Sequence, residues 1–400
     1  MSGTRRKPGR LGPFVEGYRS RLQVLGYPPS SAKHKLTELG QLGRWMGDRD
    51  FGAAQLGSTA VEEFVEARRA AGCPRVPGAR SFAPLLEYLR DEGVITVEEP
   101  GPATALEELI GRYRRWLVAD RGLAEATVLR YEKLARRFLA QCAGSGEPVA
   151  VAELSGTAVT AFLLGECARV SVGSAKGRVA ELRALFRFLY LQGMTPRNLA
   201  EAVPPVAGWR DTSVPRGMAA VDMDKLVASC DRSRPGGARD FAILMLLARL
   251  GLRSAEVAFL ELEDLDWRAG EIVVRGKARR QDRLPLLREV GDAIAGYLTA
   301  VPERAGTRRV FLTVRAPRQP IRPDLVGDVV ERACRRAGLP PGGAHRLRHG
   351  LATQMLRQGA TLTGISQVLR HTDLATTAIY AKVDAARLRE VARPWPGAIL

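Results

Sequence analysis

Apolar residues recur three and four positions apart through most of the first two hundred residues, the spacing that lays one stripe along an α-helix. Two Pro/Gly-bearing stretches break this rhythm, "TVEEPGPAT" at 96–104 and "EAVPPVAGWRDTSVPRG" at 201–217, and read as linkers. They divide the chain into residues 1–100, 101–205 and 206–400. The first two parts repeat each other. Tyr18, Arg19 and Leu22 of "YRSRL" answer Tyr113, Arg114 and Leu117 of "YRRWL"; "STAVEEF" (58–64) answers "GTAVTAF" (156–162). "APLLEYLRDEG" (83–93) then answers "RALFRFLYLQG" (183–193). Three matches in order, with an offset that grows as short loop insertions would make it, predict two copies of one domain, each of about four short amphipathic helices.

The third part is mixed. "RDFAILMLLARLGL" (239–252) is almost wholly apolar and predicts a buried helix, whereas "DLDWRAGEIVVRGKARRQDRLPL" (264–286) alternates and turns like a small antiparallel sheet, with "RAG" and "GKARRQD" as the turns. From Arg322 onward the helical pattern returns. The expected fold is therefore mainly α, with a small antiparallel β-sheet confined to the C-terminal half.

Charge narrows the choice of partner. The 61 basic and 43 acidic residues leave +18, spread over every part of the chain, and arginine far outnumbers lysine. A distributed basic excess favours a polyanion, although a high-GC genome also enriches arginine. The five cysteines (Cys73, Cys142, Cys167, Cys230, Cys334) show no CxxC spacing, which fits a reducing cytoplasm rather than a disulfide framework or a zinc ribbon. No apolar run is long enough to span a bilayer, and "MSGTRRKPGR" has no apolar stretch behind it, so neither a membrane nor a signal peptide is expected.

Three of the four histidines (His345, His349, His371) fall near the C-terminus, close to Tyr380 in "TTAIYAKVD". "GLRSAEV" places Arg253 just after a buried helix, with Glu256 three residues on and able to orient its guanidinium. In "AHRLRHGLAT", His345, Arg348 and His349 share one helical face. A zinc HExxH site would need a glutamate where Arg346 stands, and the arginines would repel a divalent cation, so no metal or other cofactor is expected. An anion is the natural guest. With Lys277 in the turn "RGKARRQD", the set suits a phosphodiester: arginines to hold non-bridging oxygens, a tyrosine hydroxyl as nucleophile, and a lysine able to protonate a departing oxygen.

The order Arg, Lys, His-x-x-Arg, His, Tyr resembles the catalytic domain of the tyrosine recombinase (phage integrase) family over about residues 218–384, and the second helical repeat resembles that family's core-binding domain. The resemblance implies two helical core-binding-like domains followed by an α+β catalytic domain with a C-terminal tail. It implies catalytic roles for Arg253, Lys277, His345, Arg348, His371 and Tyr380, with Glu256 in support. Where the family usually has "LGH" this chain has "LRH", so Arg370 replaces a glycine and either alters helix packing or adds a DNA contact. Ala278 and Arg280 also depart from the usual hairpin. The "TTAIYAKVD" run and "RPWPG" tail are similar to integrase-like transposition proteins of bacterial mobile elements.

The implied activity is site-specific cleavage and rejoining of double-stranded DNA through a 3′-phosphotyrosine, for integration or transposition of a mobile element. A type IB topoisomerase and a non-catalytic DNA-binding regulator are the alternatives. The implied partners are DNA, further copies of the chain (a dimer on one site, a tetramer in synapsis) and other recombinases of the same element. Residues 1–100 are read as an extra DNA-binding or protein-interaction module. "ATTAIYAKV" offers too little apolar surface to make Tyr380 an ordinary core residue. His349 is expected to hydrogen-bond within the fold rather than react, and Arg130, Arg136 and Arg137 to lie on a solvated face or touch phosphates.

Overall fold

The computed structural model describes residues 9–95, 104–143, 151–207, 217–276, 280–301, 306–371 and 375–380. The first repeat contains helices α1 (Val15–Val24), α2 (Pro29–Asp48), α3 (Ser58–Ala70) and α4 (Ala83–Asp91). The second contains α5 (Ala105–Ala119), α6 (Glu125–Ala143), α7 (Gly156–Cys167) and α8 (Val172–Leu191). Several starts are fixed by local chemistry. Proline stands in the first turn of α2 and α4, where its missing N–H is harmless. Thr104, Ser155 and Ser171 cap α5, α7 and α8 by accepting a backbone N–H.

The repeated residues occupy the same places in two separate apolar cores. Tyr18 and Tyr113, Leu22 and Leu117, Val61 and Val159, Phe64 and Phe162, and Leu89 and Leu189 are all buried. Tyr18 meets Tyr88 with ring centroids 5.7 Å apart, and Tyr113 meets Phe188 at 5.2 Å. Each repeat's last helix is followed by a left-handed glycine, Gly93 at φ 69° and Gly193 at φ 67°, a conformation that side chains with a Cβ resist. Arg130, Arg136 and Arg137 pair with Glu181, Glu107 and Glu166 at 2.8, 3.0 and 2.7 Å, so these arginines already have carboxylate partners inside the repeat.

The C-terminal part runs α9 (Ala220–Ala228), α10 (Pro235–Leu250), α11 (Ser254–Ala258), strands β1 (Leu265–Asp266), β2 (Glu271–Arg275) and β3 (Gln281–Pro285), then α12 (Arg288–Ala300), α13 (Pro323–Arg336), α14 (Ala344–Arg357), α15 (Leu362–Leu369) and α16 (Ala375–Ala378). The sheet is antiparallel in the order β1-β2-β3. Ile272 and Val274 of β2 turn into the core, as strand alternation demands. α10 is the buried helix that its apolar sequence predicts, and its two charged core residues, Arg239 and Asp240, neutralise each other at 2.7 Å.

Two compact units result. The described residues up to 95 group with those from 217 onward, and 104–207 form the other unit. Within the first unit the Arg318 N–H donates to the Leu25 carbonyl at 2.9 Å, and a Cβ on Gly26 (φ 76°) would come within 2.7 Å of the Arg318 side chain. The residues expected to form a separate N-terminal module thus have their own core yet touch the C-terminal part. The expected linkers lie largely outside the described residues. Among those described, no helix is long and apolar enough to cross a membrane.

Candidate active site

The site is assembled from three chain breaks that meet on α14. At the first, α10 ends on Gly251 in the left-handed conformation (φ 60°), and the chain turns at once into α11. Arg253 is the residue preceding that short helix. Glu256 accepts its backbone N–H at 2.8 Å through Oε2 and its Nη1 at 2.6 Å through Oε1, so one carboxylate fixes both the main chain and the guanidinium. Burial by itself would raise the Glu256 pKa. Arg370, the Arg253 N–H and the Arg253 side chain outweigh it and hold the carboxylate below its usual range. Glu256 is an anchor and cannot serve as an acid near neutral pH.

The second break is the end of α15, a helix capped at its start by Thr361. Arg348, buried on α14, donates to the carbonyls of Gly251 and Leu369 and so welds both breaks to its own helix. Burial, reinforced by Arg253 and Arg370, pushes its pKa down to about 10, which still leaves it charged at neutral pH. The glycine-bearing segment before α9 leans on the same helix. The Met218 N–H donates to the Arg346 carbonyl at 3.0 Å, and a Cβ on Gly350 would fall 2.4 Å from the Met218 carbonyl oxygen.

The third break carries His371, α16 and Tyr380. His371 Nδ1 lies 2.7 Å from Thr377 Oγ1, and its ring is nearly parallel to that of Tyr380 (7°, centroids 6.4 Å apart). Tyr380 is only 1 % exposed. Its packing comes mainly from Ala352 and Leu356 of α14 and from Ile365 and Leu369 of α15, with Ile379 the one contribution from its own neighbours in sequence among the described residues. The expectation that this tyrosine lacks an apolar surround is therefore wrong: the surround is supplied by other helices. Its Oη is 2.7 Å from His349 Nδ1. Burial raises the phenol pKa and Arg348 opposes that shift.

All three histidines are biased toward the neutral form, first by burial and then by neighbouring positive groups. His345 feels Arg348 and Arg253, and His349 feels His345 and Arg348. His371 feels Arg348, Arg253, His349 and Arg370, and is pushed down to about 4. The positive centres crowd one another because, among the described residues, Arg253, Arg348 and Arg370 face the single carboxylate of Glu256.

Of the residues singled out from sequence, Arg253, Glu256, His345, Arg348, His371 and Tyr380 converge here. Lys277 lies outside the described residues; its hairpin is described as far as Gly276 and again from Arg280, where the Gly276 N–H donates to the Arg280 carbonyl at 2.7 Å. Sequence reasoning missed two contacts: His349, not His345, touches the tyrosine, and Thr377 orients His371. The first had a signal in the one-turn spacing of His349 from His345; the second had none. Of the two expectations for Arg370, the structure follows the packing one: the residue is buried inside the site, its guanidinium 2.8 Å from Glu256.

Comparison with known proteins gives a consistent result. The phage integrase family model matches residues 217–387. The Sinorhizobium fredii integrase/recombinase y4rA is 38% identical over 390 residues, covering 96% of this chain and 93% of its own. Tyrosine recombinase XerD of Mycobacterium tuberculosis is 30% identical over 306 residues, covering 72% of this chain and 95% of its own. Among solved structures, a lambda integrase dimer bound to a COC′ core site aligns with a TM-score of 0.53 at 17% identity, over 86% of this chain and 92% of that one. XerH recombinase bound to a palindromic difH substrate aligns at 0.50 and 17% identity, over 97% of both chains, which supports a shared fold.

Proposed function

Since the chain belongs to the phage integrase family of tyrosine recombinases, we propose that Tyr380 is the nucleophile that breaks and rejoins DNA at specific sites. The observation that carries this reading is the convergence of Arg253, Arg348, His371 and Tyr380 from three separate chain breaks into one positively biased pocket. Tyr380 attacks the scissile phosphorus, giving a 3′-phosphotyrosine and a free 5′-hydroxyl. The ester keeps the energy of the broken bond, so the reverse attack by a 5′-hydroxyl needs no added energy source. Arg253, Arg348 and His371 hold the non-bridging oxygens as charge builds on them. His345 assists removal of the phenol proton, and Lys277 returns a proton to the departing 5′-oxygen.

The phenol is buried against His349, so Tyr380 leaves this pocket before its oxygen reaches a phosphate. DNA as substrate, and assembly as a dimer on one site and a tetramer in synapsis, are supported by the lambda integrase dimer on a core site and the lambda integrase tetramer on a Holliday junction, both of which share the fold. Residues 101–205 act as the core-binding domain, 206–400 as the catalytic domain with its tail, and 1–100 as an additional module on DNA or protein. The "TTAIYAKVD" run and "RPWPG" tail favour a mobile element as the setting, with other recombinases of the same element as partners. Tyr380→Phe should bind its DNA site and trap no covalent adduct on denaturing gels, while wild type traps one with EDTA present. An adduct in the variant, or loss of the wild-type adduct on chelation, overturns the assignment.

A further inference from the structure

Arg370 stands where a helix ends in the left-handed conformation, at φ 54°, a backbone state that disfavours any residue with a Cβ by about 1–2 kcal/mol. Helices that end this way usually do so on glycine. The arginine kept here is not a surface residue. Its side chain is 3% exposed, donating through Nη2 to Glu256 Oε2 at 2.8 Å and through Nη1 to the Val368 carbonyl at 3.0 Å. Its own carbonyl accepts Arg253 Nη2 at 3.3 Å. One residue therefore grips the partner of Arg253 with its side chain and Arg253 itself with its main chain.

The charge balance gives this arrangement a purpose. Glu256 alone with Arg253 would form a neutral pair, and an arriving phosphate would have to compete with a carboxylate 2.6 Å from the guanidinium. With Arg370 on the second carboxylate oxygen, the three groups carry one net positive charge, and Arg253, 35% exposed, is the member that faces solvent. We propose that Arg370 is a positioning residue that neutralises Glu256, leaving the Arg253 charge available to the scissile phosphate. This rests on the reading of Arg253 as a phosphate ligand.

The test uses full-length protein and single-turnover covalent trapping on a nicked DNA site, with either an ordinary phosphodiester or an uncharged methylphosphonate at the scissile position. Arg370→Gly relaxes the backbone and removes the charge; Arg370→Lys keeps a charge. On the phosphodiester, Arg370→Gly should trap about ten- to a hundredfold more slowly than wild type, as expected for removing one charge near the phosphate at an effective dielectric near 20. On the methylphosphonate, which carries no charge for the guanidinium to hold, the deficit should shrink to within about twofold. Arg370→Lys should recover much of the rate on the phosphodiester. Equal losses on both substrates, which a merely structural role would give, overturn the proposal, as does an undiminished rate for Arg370→Gly. If Arg370→Gly melts early, the same substrate comparison is read from Arg370→Gln. Failure of the underlying reading looks different: Arg253→Ala would then trap as fast as wild type.

Discussion

Replacing His349 by Phe tests whether the tyrosine pocket restrains the reaction. The phenylalanine keeps a planar ring beside the phenol and removes the nitrogen that lies 2.7 Å from Tyr380 Oη. Full burial of a tyrosine hides roughly 150–250 Å², which at about 25 cal/mol per Å² favours the closed pocket by about 4–6 kcal/mol. The hydrogen bond adds to that, because a buried hydroxyl left without a partner costs about 1–3 kcal/mol. His349→Phe withdraws the partner only in the closed state. Release of Tyr380 should then become about five- to a hundredfold more frequent, using a factor of ten per 1.4 kcal/mol. The assay is the rate of covalent trapping on a nicked site at saturating DNA, with wild type and Tyr380→Phe as bounds. Faster trapping is the expected outcome. A slower rate would refute the reasoning and place the imidazole in the reaction itself, taking the proton of the phenol it touches.

Two further outcomes follow from the same geometry. Gly350→Ala puts a Cβ 2.4 Å from the Met218 carbonyl oxygen, a backbone clash that no rotamer relieves, and should lower stability by about 1–3 kcal/mol in denaturant titration; an unchanged midpoint would show that the 217–218 segment yields. His371, held at about 4 in the fold against about 6.5 in the unfolded chain, makes the unfolded state bind the extra proton between those values, so folded stability should fall as pH drops from 6.5 toward 4. His371→Gln should flatten that slope without abolishing it, since His345 and His349 are shifted in the same direction; identical slopes would count against the burial of His371.

How much of this was legible beforehand depends on how local the cause is. The Arg253–Glu256 pair could be read from three-residue spacing, because both groups ride on one helical turn. The three-stranded sheet was visible in the alternation of 264–286, and the duplicated helical cores in matched residues such as Phe64 and Phe162. Tyr380 was misjudged because its apolar surround comes from α14 and α15, which its flanking residues cannot announce. For Arg370 the sequence left helix packing and a DNA contact both open for the same reason: only the distant Glu256, 114 positions earlier, gives the charge a reason to be inside.

The duplicated cores set a folding hazard of their own. Two neighbouring domains of one plan invite helices of one copy to dock in the other, a characteristic failure of repeat proteins. Buried carboxylates distinguish the copies. Glu38 on α2 is answered by Lys35 and by Ser81 just ahead of α4; Glu132 on α6 is answered by Arg114 of α5; and Glu181 on α8 by Arg130 of α6. A helix from the wrong copy would bury one of these acids away from its partners on neighbouring elements, and a buried polar group left without a partner costs about 1–3 kcal/mol. The apolar residues shared by both repeats let either helix collapse; the acids let only one arrangement close, so partner choice during folding is written in charge and not in shape.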